Sequence, residues 1–483
     1  MITKLIQKYR DFSTPAKASF WFVVCSVIQK GIAFFTMPLF TRALSTEAYG
    51  TVVVYNSWYQ ILSIIATLQL ATGVFPKAMI KYDNDRDGYT SSTLSLSSFL
   101  ILFWMTVYFL FSKVLDNFIG LSKELVIIMF LDIFISNAMA FYSVRNRFEY
   151  KYKGIVFISI LTNVFGPLLS VLLIFSMSDE NQPQAKVLGI LIVKVLMYSY
   201  PFYKLLRKGR KLVCKEYWRY AIWYNIPLIP HYLSQQVLSQ SDRIMISRMC
   251  NLADAGIYGV AYQLSTSIFI FTLAIHYSFT PWTYKNLKAG DLKKIGNVAL
   301  KFEIAVGAAC FLFSIFAPEL IWLIGGKQYM EAIWIVPSVA MSVLFQTVYT
   351  FFANIEFYYE KTKIVMIASL FVALLNILLN YIFISRYGFI AAGYTTLICY
   401  IIYSGIHFVF MNYTLKQEKI KPFYNGKKVW GVGALFVLAS LLVNLLYINT
   451  FIRYLVIILG TILTAFFVYK YKNEIINQFK KNY

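Results

Sequence analysis

Two lysines lie in stretches of the sequence that are otherwise apolar. Lys30 is near the middle of "WFVVCSVIQKGIAFFTMPLF" (21–40), and Lys194 is inside "VLGILIVKVLMYSY" (187–200). A lysine at the centre of a lipid bilayer costs ~2.5–3.5 kcal/mol on insertion scales, so it normally faces a partner or a water-filled cavity. Ammonium groups at that depth can hold an anionic ligand that crosses hydrocarbon. We therefore take both lysines as candidate substrate-binding residues.

Two aspartates and an arginine share these apolar stretches. Asp132 lies in "IIMFLDIFIS" (127–136), at a depth comparable with Lys30, and the adjacent pair Asp242 and Arg243 lies in "QSDRIMISRM" (240–249). Asp132 either forms a salt bridge with Lys30 or binds a sodium ion or proton in an antiport cycle. Arg243 either guides an anion outward or is tied to Asp242. The sequence leaves these alternatives open.

A basic cluster follows the fourth apolar stretch. Arg147 and its neighbours Arg145, Lys151 and Lys153 occupy one predicted turn. Arg147 is a candidate contact for an anion that enters from the cytoplasm. The alternative is that the whole cluster fixes membrane topology and binds lipid headgroups.

The elements that must position these residues are membrane helices. The chain is 59% hydrophobic and only 14% charged, with a mean hydropathy of +0.61, which is typical of an integral membrane protein. Apolar runs of about twenty residues, enough to cross a ~30 Å hydrocarbon core, predict an all-α protein with fourteen spans. They are 18–41, 50–75, 91–112, 125–144, 154–177, 187–206, 218–247, 256–280, 297–317, 332–353, 364–385, 389–411, 429–448 and 452–470.

Basic residues predict the orientation of these spans. With the N-terminus inside, 34 of the 45 Lys and Arg residues fall in cytoplasmic segments and 8 in outward ones. Because Lys and Arg are retained on the cytoplasmic side, both termini are predicted to be cytoplasmic, in a multi-pass protein of the bacterial plasma (inner) membrane. The net charge of +23 then reflects orientation and attraction to anionic lipid, and no nucleic-acid partner is expected.

Two places in the sequence indicate an internal duplication. "TRALSTEAYGTVVVY" (41–55) and "SRMCNLADAGIYGVAY" (247–262) share an arginine, a polar loop and a Tyr-Gly pair 209 positions apart. "RFEYKYKGIVF" (147–157) and "EFYYEKTKIVM" (356–366) repeat Phe and Tyr at the same offset. The alternative is that aromatic and basic residues simply collect at membrane interfaces.

The duplication predicts two parallel six-helix lobes with a cavity between them, followed by two more helices. The predicted boundaries are 1–210 for the N-lobe, 211–415 for the C-lobe and 416–483 for the C-terminal pair. Arg42 and Arg248, the paired arginines of the repeat, are expected to line an exit or to close an outer gate by binding Glu47 or Asp254. Prolines that could supply helix bends are Pro38, Pro227 and Pro230.

The arrangement of helices and four local patterns resemble a known family. Fourteen helices in a 6 + 6 + 2 order are similar to the multidrug/oligosaccharidyl-lipid/polysaccharide (MOP) exporter superfamily. The patterns "PLFTRALSTEAYG" (38–50), "QSDRIMISRM" (240–249), "AGIYGVAYQLS" (255–265) and "EFYYEKTK" (356–363) resemble its polysaccharide branch, the Wzx-type flippases of O-antigen and repeat units. The resemblance implies a flippase that moves an undecaprenyl-diphosphate-linked oligosaccharide to the outer leaflet by alternating access. A polysaccharide polymerase is an expected partner.

Other functions remain as alternatives or are disfavoured. A flippase for lipid II or another lipid-linked precursor makes the same demand for positive charge, and a drug or cation antiporter would need carboxylates at mid-depth. We expect no enzyme and no catalytic residue, because the outward loops are too short for a catalytic loop and no GxxxxGK[ST] motif is present. Three dispersed histidines and five scattered cysteines predict no metal site or cofactor. Coupling to sodium or protons is left open.

Overall fold

Long helices joined by short turns make up the first half of the protein. The computed structural model describes residues 13–470, with side chains to residue 462, so the predicted cytoplasmic termini lie outside the described residues. The helices of the first half are α1 (Thr14–Ala43), α2 (Thr46–Thr67), α3 (Phe75–Lys81), α4 (Arg86–Leu110), α5 (Ser112–Ile119), α6 (Lys123–Phe148), α7 (Lys153–Ser176) and α8 (Gln182–Gly209).

The second half has the same kind of architecture and continues into two further helices. Its helices are α9 (Lys215–Asn225), α10 (Ile229–Met249), α11 (Leu252–Thr266), α12 (Phe269–Ala289), α13 (Leu292–Ile315), α14 (Ala317–Gly325), α15 (Val336–Tyr358), α16 (Thr362–Tyr387) and α17 (Ala391–Gln417). The final pair is α18 (Gly426–Leu446) and α19 (Thr450–Lys470). The described chain contains no strand, which confirms the all-α prediction.

Each predicted span coincides with one helix or with two consecutive helices. Eleven of the described helical segments are long and apolar enough to cross a bilayer. The helices α2 and α10 are not among them, because polar side chains interrupt their apolar runs. Their polar groups meet across the two halves, where the Ser57 hydroxyl donates to Gln240 at 3.3 Å. These two helices pack directly against each other.

The seventh and eighth predicted spans are each divided into two helices. The seventh span is divided by a 3-10 turn, Ile226–Leu228, at Pro227, which cannot donate a backbone hydrogen bond. The eighth span is divided between Thr266 and Phe269. Pro38, in contrast, lies inside the continuous helix α1.

Helix α9 packs against the first half, although it follows the predicted boundary at residue 210. The Tyr217 hydroxyl donates to Asp85 at 2.6 Å, and the Trp218 indole donates to the carbonyl of Ser92 at 2.9 Å. The chain therefore leaves the packing of the first half at the 3-10 turn Ile226–Leu228, some fifteen residues later than the sequence boundary.

Two glycines allow the halves to touch at the end that the basic residues predict to be extracellular, here called the outer end. A Cβ atom on Gly50 of α2 would lie 1.7 Å from the carbonyl oxygen of Leu252, and one on Gly256 of α11 would lie 2.3 Å from that of Thr46. The two contacts are reciprocal, because each glycine sits four residues after the residue that the other approaches. Only glycine permits so close an approach of two backbones.

The structure repeats the duplicated features at slightly different offsets from the predicted 209. Gly50 and Gly256 are 206 positions apart. The turns after α6 and α15 place Tyr150 and Glu360 at φ values of 57° and 58°, 210 positions apart. The shared Tyr-Gly pair therefore misaligned the outer repeat by three residues. The loops before α2 and α11 have equal length, and the first residues of these helices, Thr46 and Leu252, are also 206 positions apart.

Replacing Gly50 with alanine is expected to force α2 and α11 apart at the outer end. Overpacking of this kind destabilises proteins by about 1–3 kcal/mol. Thermal unfolding of the purified protein in detergent measures the effect, with Gly31→Ala in α1 as the matched control, because a Cβ there meets nothing within 4 Å. Equal unfolding temperatures for the two variants would contradict the backbone contact.

Candidate functional site

Lys30 lies between the two halves without an acidic partner. Its side chain projects from α1, and Nζ is 5.9 Å from the ring centroid of Phe269, the first residue of α12 in the second half. The structure records no ion pair for Lys30 among the described residues. Open space adjoins the next residue, Gly31. The alternative salt bridge between Lys30 and Asp132 is therefore not formed.

Asp132 pairs with Lys194 instead. Lys194 Nζ lies 2.7 Å and 2.9 Å from the two carboxylate oxygens of Asp132, which also accepts a hydrogen bond from Ser136 at 2.8 Å. The ammonium is 5.5 Å from the ring centroid of Tyr59 on α2. Because the aspartate is buried and compensates the charge of Lys194, this lysine is not a free ammonium group.

Arg243 is held inside the second half by Asp242 and Tyr262. Its guanidinium is 3.1 Å from the Asp242 carboxylate and 3.7 Å from the ring centroid of Tyr262, and it donates to the carbonyl of Ser239. Tyr258 donates a second hydrogen bond to Asp242. Both charged residues are buried, so the geometry corresponds to the predicted tie and not to the predicted substrate contact.

A chain of buried amides and hydroxyls extends this network into α16 and α17. Ser241 donates to Asn376 at 3.0 Å, Asn380 donates to Asn376 at 3.2 Å, and Thr395 donates to Asn380. The sequence analysis missed these residues. Two asparagines four positions apart in the apolar run "LLNILLN" (374–380) were an available signal, because such side chains bond between membrane helices.

The basic cluster after α6 is divided between two roles. Arg145 is buried and binds Asp87 at 3.1 Å and Glu149 at 2.5 Å. Burial acts to raise the pKa of Glu149, but the hydrogen bond from Lys151 and the charge of Arg145 outweigh it, and the pKa falls below its usual value. Arg147 is exposed, and its guanidinium lies 4.9 Å from the ring centroid of Phe22 on α1. Arg147 is therefore directed toward the helix that carries Lys30.

Arg42 and Arg248 each cross to the opposite half at the outer end. Arg42 donates to the carbonyl of Leu323 in α14 at 3.0 Å, and Arg248 donates to the carbonyl of Asn117 in α5. Both carbonyls lie in the last turn of a short helix, where backbone oxygens lack helical partners and the helix dipole is negative. The partners are therefore these carbonyls and not the predicted Glu47 or Asp254.

Lys186 is a buried lysine that forms no ion pair with an acidic residue in the described structure. It is 8% exposed, and Nζ lies 4.3 Å from the ring centroid of Phe40 and 4.5 Å from that of Tyr49. Tyr49 in turn donates to Gln263 of the second half at 3.3 Å. Lys186 thus lies next to Tyr49, a residue that connects the two halves.

Two further carboxylates are buried in the second half, in addition to Asp242. Glu303 on α13 lies beside Gly433 of α18, and Glu356 on α15 lies beside His407 of α17. Each lies among helices of the second half and its following pair. Within residues 13–462, no group of three or more metal-ligating side chains could hold a metal ion.

Comparison with known families gives two matches along the chain. The family described as "Polysaccharide biosynthesis protein" matches residues 16–286, and the MatE family matches residues 227–382. Among curated proteins, "Lsg locus putative protein 1" of Haemophilus influenzae is 25% identical over 372 residues, 72% of this chain and 86% of that protein. An uncharacterized membrane protein of Methanocaldococcus jannaschii is 24% identical over 408 residues, 79% of this chain and 94% of that protein.

Solved structures share the fold at low identity. The inward closed conformation of the lipid II flippase MurJ superposes with a TM-score of 0.69 and 17% identity, covering 94% of this chain and 99% of that one. An inward-facing multidrug resistance MATE family transporter of the MOP superfamily superposes with a TM-score of 0.61 and 14% identity, covering 81% and 95%. Likeness at these identities establishes the architecture alone.

Removing the Arg42 side chain is expected to loosen the outer end. In a protein whose other four cysteines are serine, Cys250, which directly follows α10 and is partly buried, should react severalfold faster with a membrane-impermeant maleimide in Arg42→Ala than in the parent. The control is Arg386→Ala, at an exposed arginine in the last turn of α16. Equal labelling rates in the two variants would rule out Arg42 as a closure residue.

The pairing of Asp132 with Lys194 predicts strongly coupled substitutions. Asp132→Asn leaves the Lys194 ammonium uncompensated, and breaking a buried pair in this way costs about 3–5 kcal/mol. The neutral double variant Asp132→Asn/Lys194→Gln should recover most of that loss. A double-mutant cycle on thermal unfolding measures the coupling, and additive effects of the single changes would show that the pair does not form.

Proposed function

The chain belongs to the family of polysaccharide biosynthesis proteins in the MOP exporter superfamily, and on that premise we propose that it is a Wzx-type flippase. Its substrate would be an undecaprenyl-diphosphate-linked oligosaccharide, the repeat unit of an O-antigen, capsule or related polysaccharide. The protein would carry this lipid from the cytoplasmic to the outer leaflet of the bacterial plasma membrane. No covalent bond changes in this step, so the protein would act as a transporter and not as an enzyme.

The observation that carries the proposal is the unpaired ammonium of Lys30 between the halves. A diphosphate that crosses hydrocarbon without a counter-charge meets a prohibitive desolvation cost. Lys194 and Arg243 already have carboxylate partners, whereas Lys30 forms no ion pair with any residue that the structure describes and lies near an aromatic ring of the opposite half. Its charge is therefore available to an anionic headgroup.

The other arginines indicate an order of events for alternating access of the N-lobe, on which α9 packs, and the C-lobe, which begins with α10. Arg147 would meet the diphosphate at the cytoplasmic entrance, beside the same helix as Lys30. The halves are joined at the outer end by Arg42 and Arg248, so this arrangement corresponds to a state closed to the outside. Breaking those two hydrogen bonds would open the exit, where a polysaccharide polymerase could receive the product.

Two other substrates fit the same fold less well. Lipid II also carries a diphosphate, and the structural likeness to a lipid II flippase makes it the second candidate. A drug or cation antiporter would need a carboxylate exposed between the halves. The buried carboxylates Glu303 and Glu356 lie instead within the second half, beside α18 and α17.

Substitution of Lys30 tests the proposal in proteoliposomes that contain a fluorescent undecaprenyl-diphosphate oligosaccharide. Lys30→Ala should lower the flipping rate about tenfold or more, because a hydrogen bond to a charged group contributes ~1.5–3 kcal/mol. Lys30→Glu should abolish flipping, and Lys30→Arg should preserve part of it. The matched control is Lys301→Ala, at an exposed lysine of α13.

The outcomes distinguish the possible errors. Flipping by Lys30→Ala at the rate of Lys301→Ala would exclude Lys30 as the anion site. Absence of flipping by the wild type would reject the glycan substrate, and a parallel assay with lipid II would then test the second candidate. Flipping by the Asp132→Asn/Lys194→Gln variant would show that Lys194 has a structural role and does not bind the substrate.

A further inference from the structure

A glutamate and a histidine are buried together in the second half, outside the site described above. His407 Nδ1 on α17 lies 2.8 Å from Glu356 Oε2 on α15, and both side chains are 0% exposed. The remaining polar atoms, Glu356 Oε1 and His407 Nε2, are buried and have no hydrogen-bond partner among the described residues. Buried polar groups nearly always form hydrogen bonds, so each residue of this pair has a polar atom that can still bind a proton or form a hydrogen bond.

The chemistry of the two side chains points to a proton as the ligand. A carboxyl group and an imidazole that share one hydrogen bond can hold one proton with no net charge, or two protons with a net positive charge. Sodium and other hard cations take oxygen ligands, whereas the neighbour of this carboxylate is a nitrogen that binds protons near neutral pH. Because a net charge is costly in the interior, uptake of a second proton favours a different packing.

The pair is connected to helix α10, which contacts the first half. The His407 ring lies 4.6 Å from the ring of Tyr403, whose hydroxyl accepts a hydrogen bond from Gln235 of α10 at 3.1 Å. His231, also on α10, bonds Ser369 at 3.1 Å. Both α10 residues follow the break at Ile226–Leu228.

Other titratable groups surround the pair without neutralising it. Tyr349 of α15 stacks on His407, and Tyr424 bonds the carbonyl of Phe351. His276 of α12 lies against Phe351, and Glu303 of α13 is directed toward Gly433. Within the described residues, no lysine or arginine forms an ion pair with Glu356 or His407. Protonation of the Glu356 and His407 pair therefore changes the local charge.

We infer that the Glu356 and His407 pair is a proton-binding site, and that proton uptake there shifts α10 at its break and thereby biases the arrangement of the two halves. The link from this site to flipping rests on the proposed function. The site itself and its effect on conformation do not.

The first test compares flipping with and without a pH gradient across the proteoliposome membrane. An imposed gradient should accelerate flipping severalfold in the wild type and leave Glu356→Gln unchanged, because glutamine mimics the protonated acid and cannot release a proton. His407→Gln should also lose the response, and it serves as the second variant if Glu356→Gln does not fold. The matched control is Glu360→Gln, an exposed carboxylate in the following turn.

The second test needs no substrate. Spin labels at Val27→Cys on α1 and Phe271→Cys on α12, both at exposed positions, report the distance between the halves at about pH 5 and about pH 9. The wild-type distance distribution should shift with pH, and that of Glu356→Gln should not. A wild type that does not shift, or a Glu356→Gln protein that shifts equally, would overturn the inference. A pH-dependent shift in a protein that flips nothing would support the proton site and reject the proposed function.

Discussion

A charge placed inside a bilayer must find a partner, and this requirement governs the charged side chains within the helices. Lys194 binds Asp132, Arg243 binds Asp242, and Arg453 binds Glu319, so these three cations are compensated by a carboxylate. Lys186 is buried against two aromatic rings instead. Losing either partner of such a pair is costly, which keeps the helices that carry them together. Against this background the unpaired position of Lys30 stands out. A lone ammonium between the halves is energetically reasonable only where water or an anion reaches it.

Ion pairs connect helices within each half, whereas the contacts between the two halves are hydrogen bonds to carbonyl groups and close backbone packing. The ion pairs between helices lie within one half and its following helices, apart from Lys211 of the linker, which binds Asp85. Between the halves, Arg42 and Arg248 bind backbone carbonyls, and Gly50 and Gly256 bring two backbones into contact. Carbonyl groups are neutral, so separating them from an arginine leaves no buried charge of opposite sign. A closure made in this way can open more readily than a buried ion pair can break.

The sequence could predict the helices, but not the partners of charged residues that are distant along the chain. Apolar runs of the right length placed each predicted span on one helix or on two consecutive helices, because burial in lipid imposes length and composition on each helix separately. Lys194 and Asp132 are 62 positions apart, so their contact depends on how α6 and α8 pack, which no local pattern encodes. The same holds for Glu356 and His407, which are 51 positions apart. The predicted offset of the duplication was wrong by a few residues for a related reason. The two Tyr-Gly pairs have the same residue types, but the structurally equivalent glycines are Gly50 and Gly256, which make reciprocal backbone contacts.

Helix α10 is the element through which the two halves can influence each other. Gln235 bonds Tyr403 inside the second half, and Gln240, five residues further along the same helix, accepts a hydrogen bond from Ser57 of the first half. Asp242 then ties the helix to Tyr258 of α11, which contains the glycine contact at the outer end. The polar residues that make α10 a poor membrane span by hydropathy are thus the residues that give it partners on both sides. Because the helix is broken at Ile226–Leu228, its main length can move relative to α9, which remains packed on the first half. A change near Tyr403 can therefore reach the contact between the halves through one rigid helix and two hydrogen bonds.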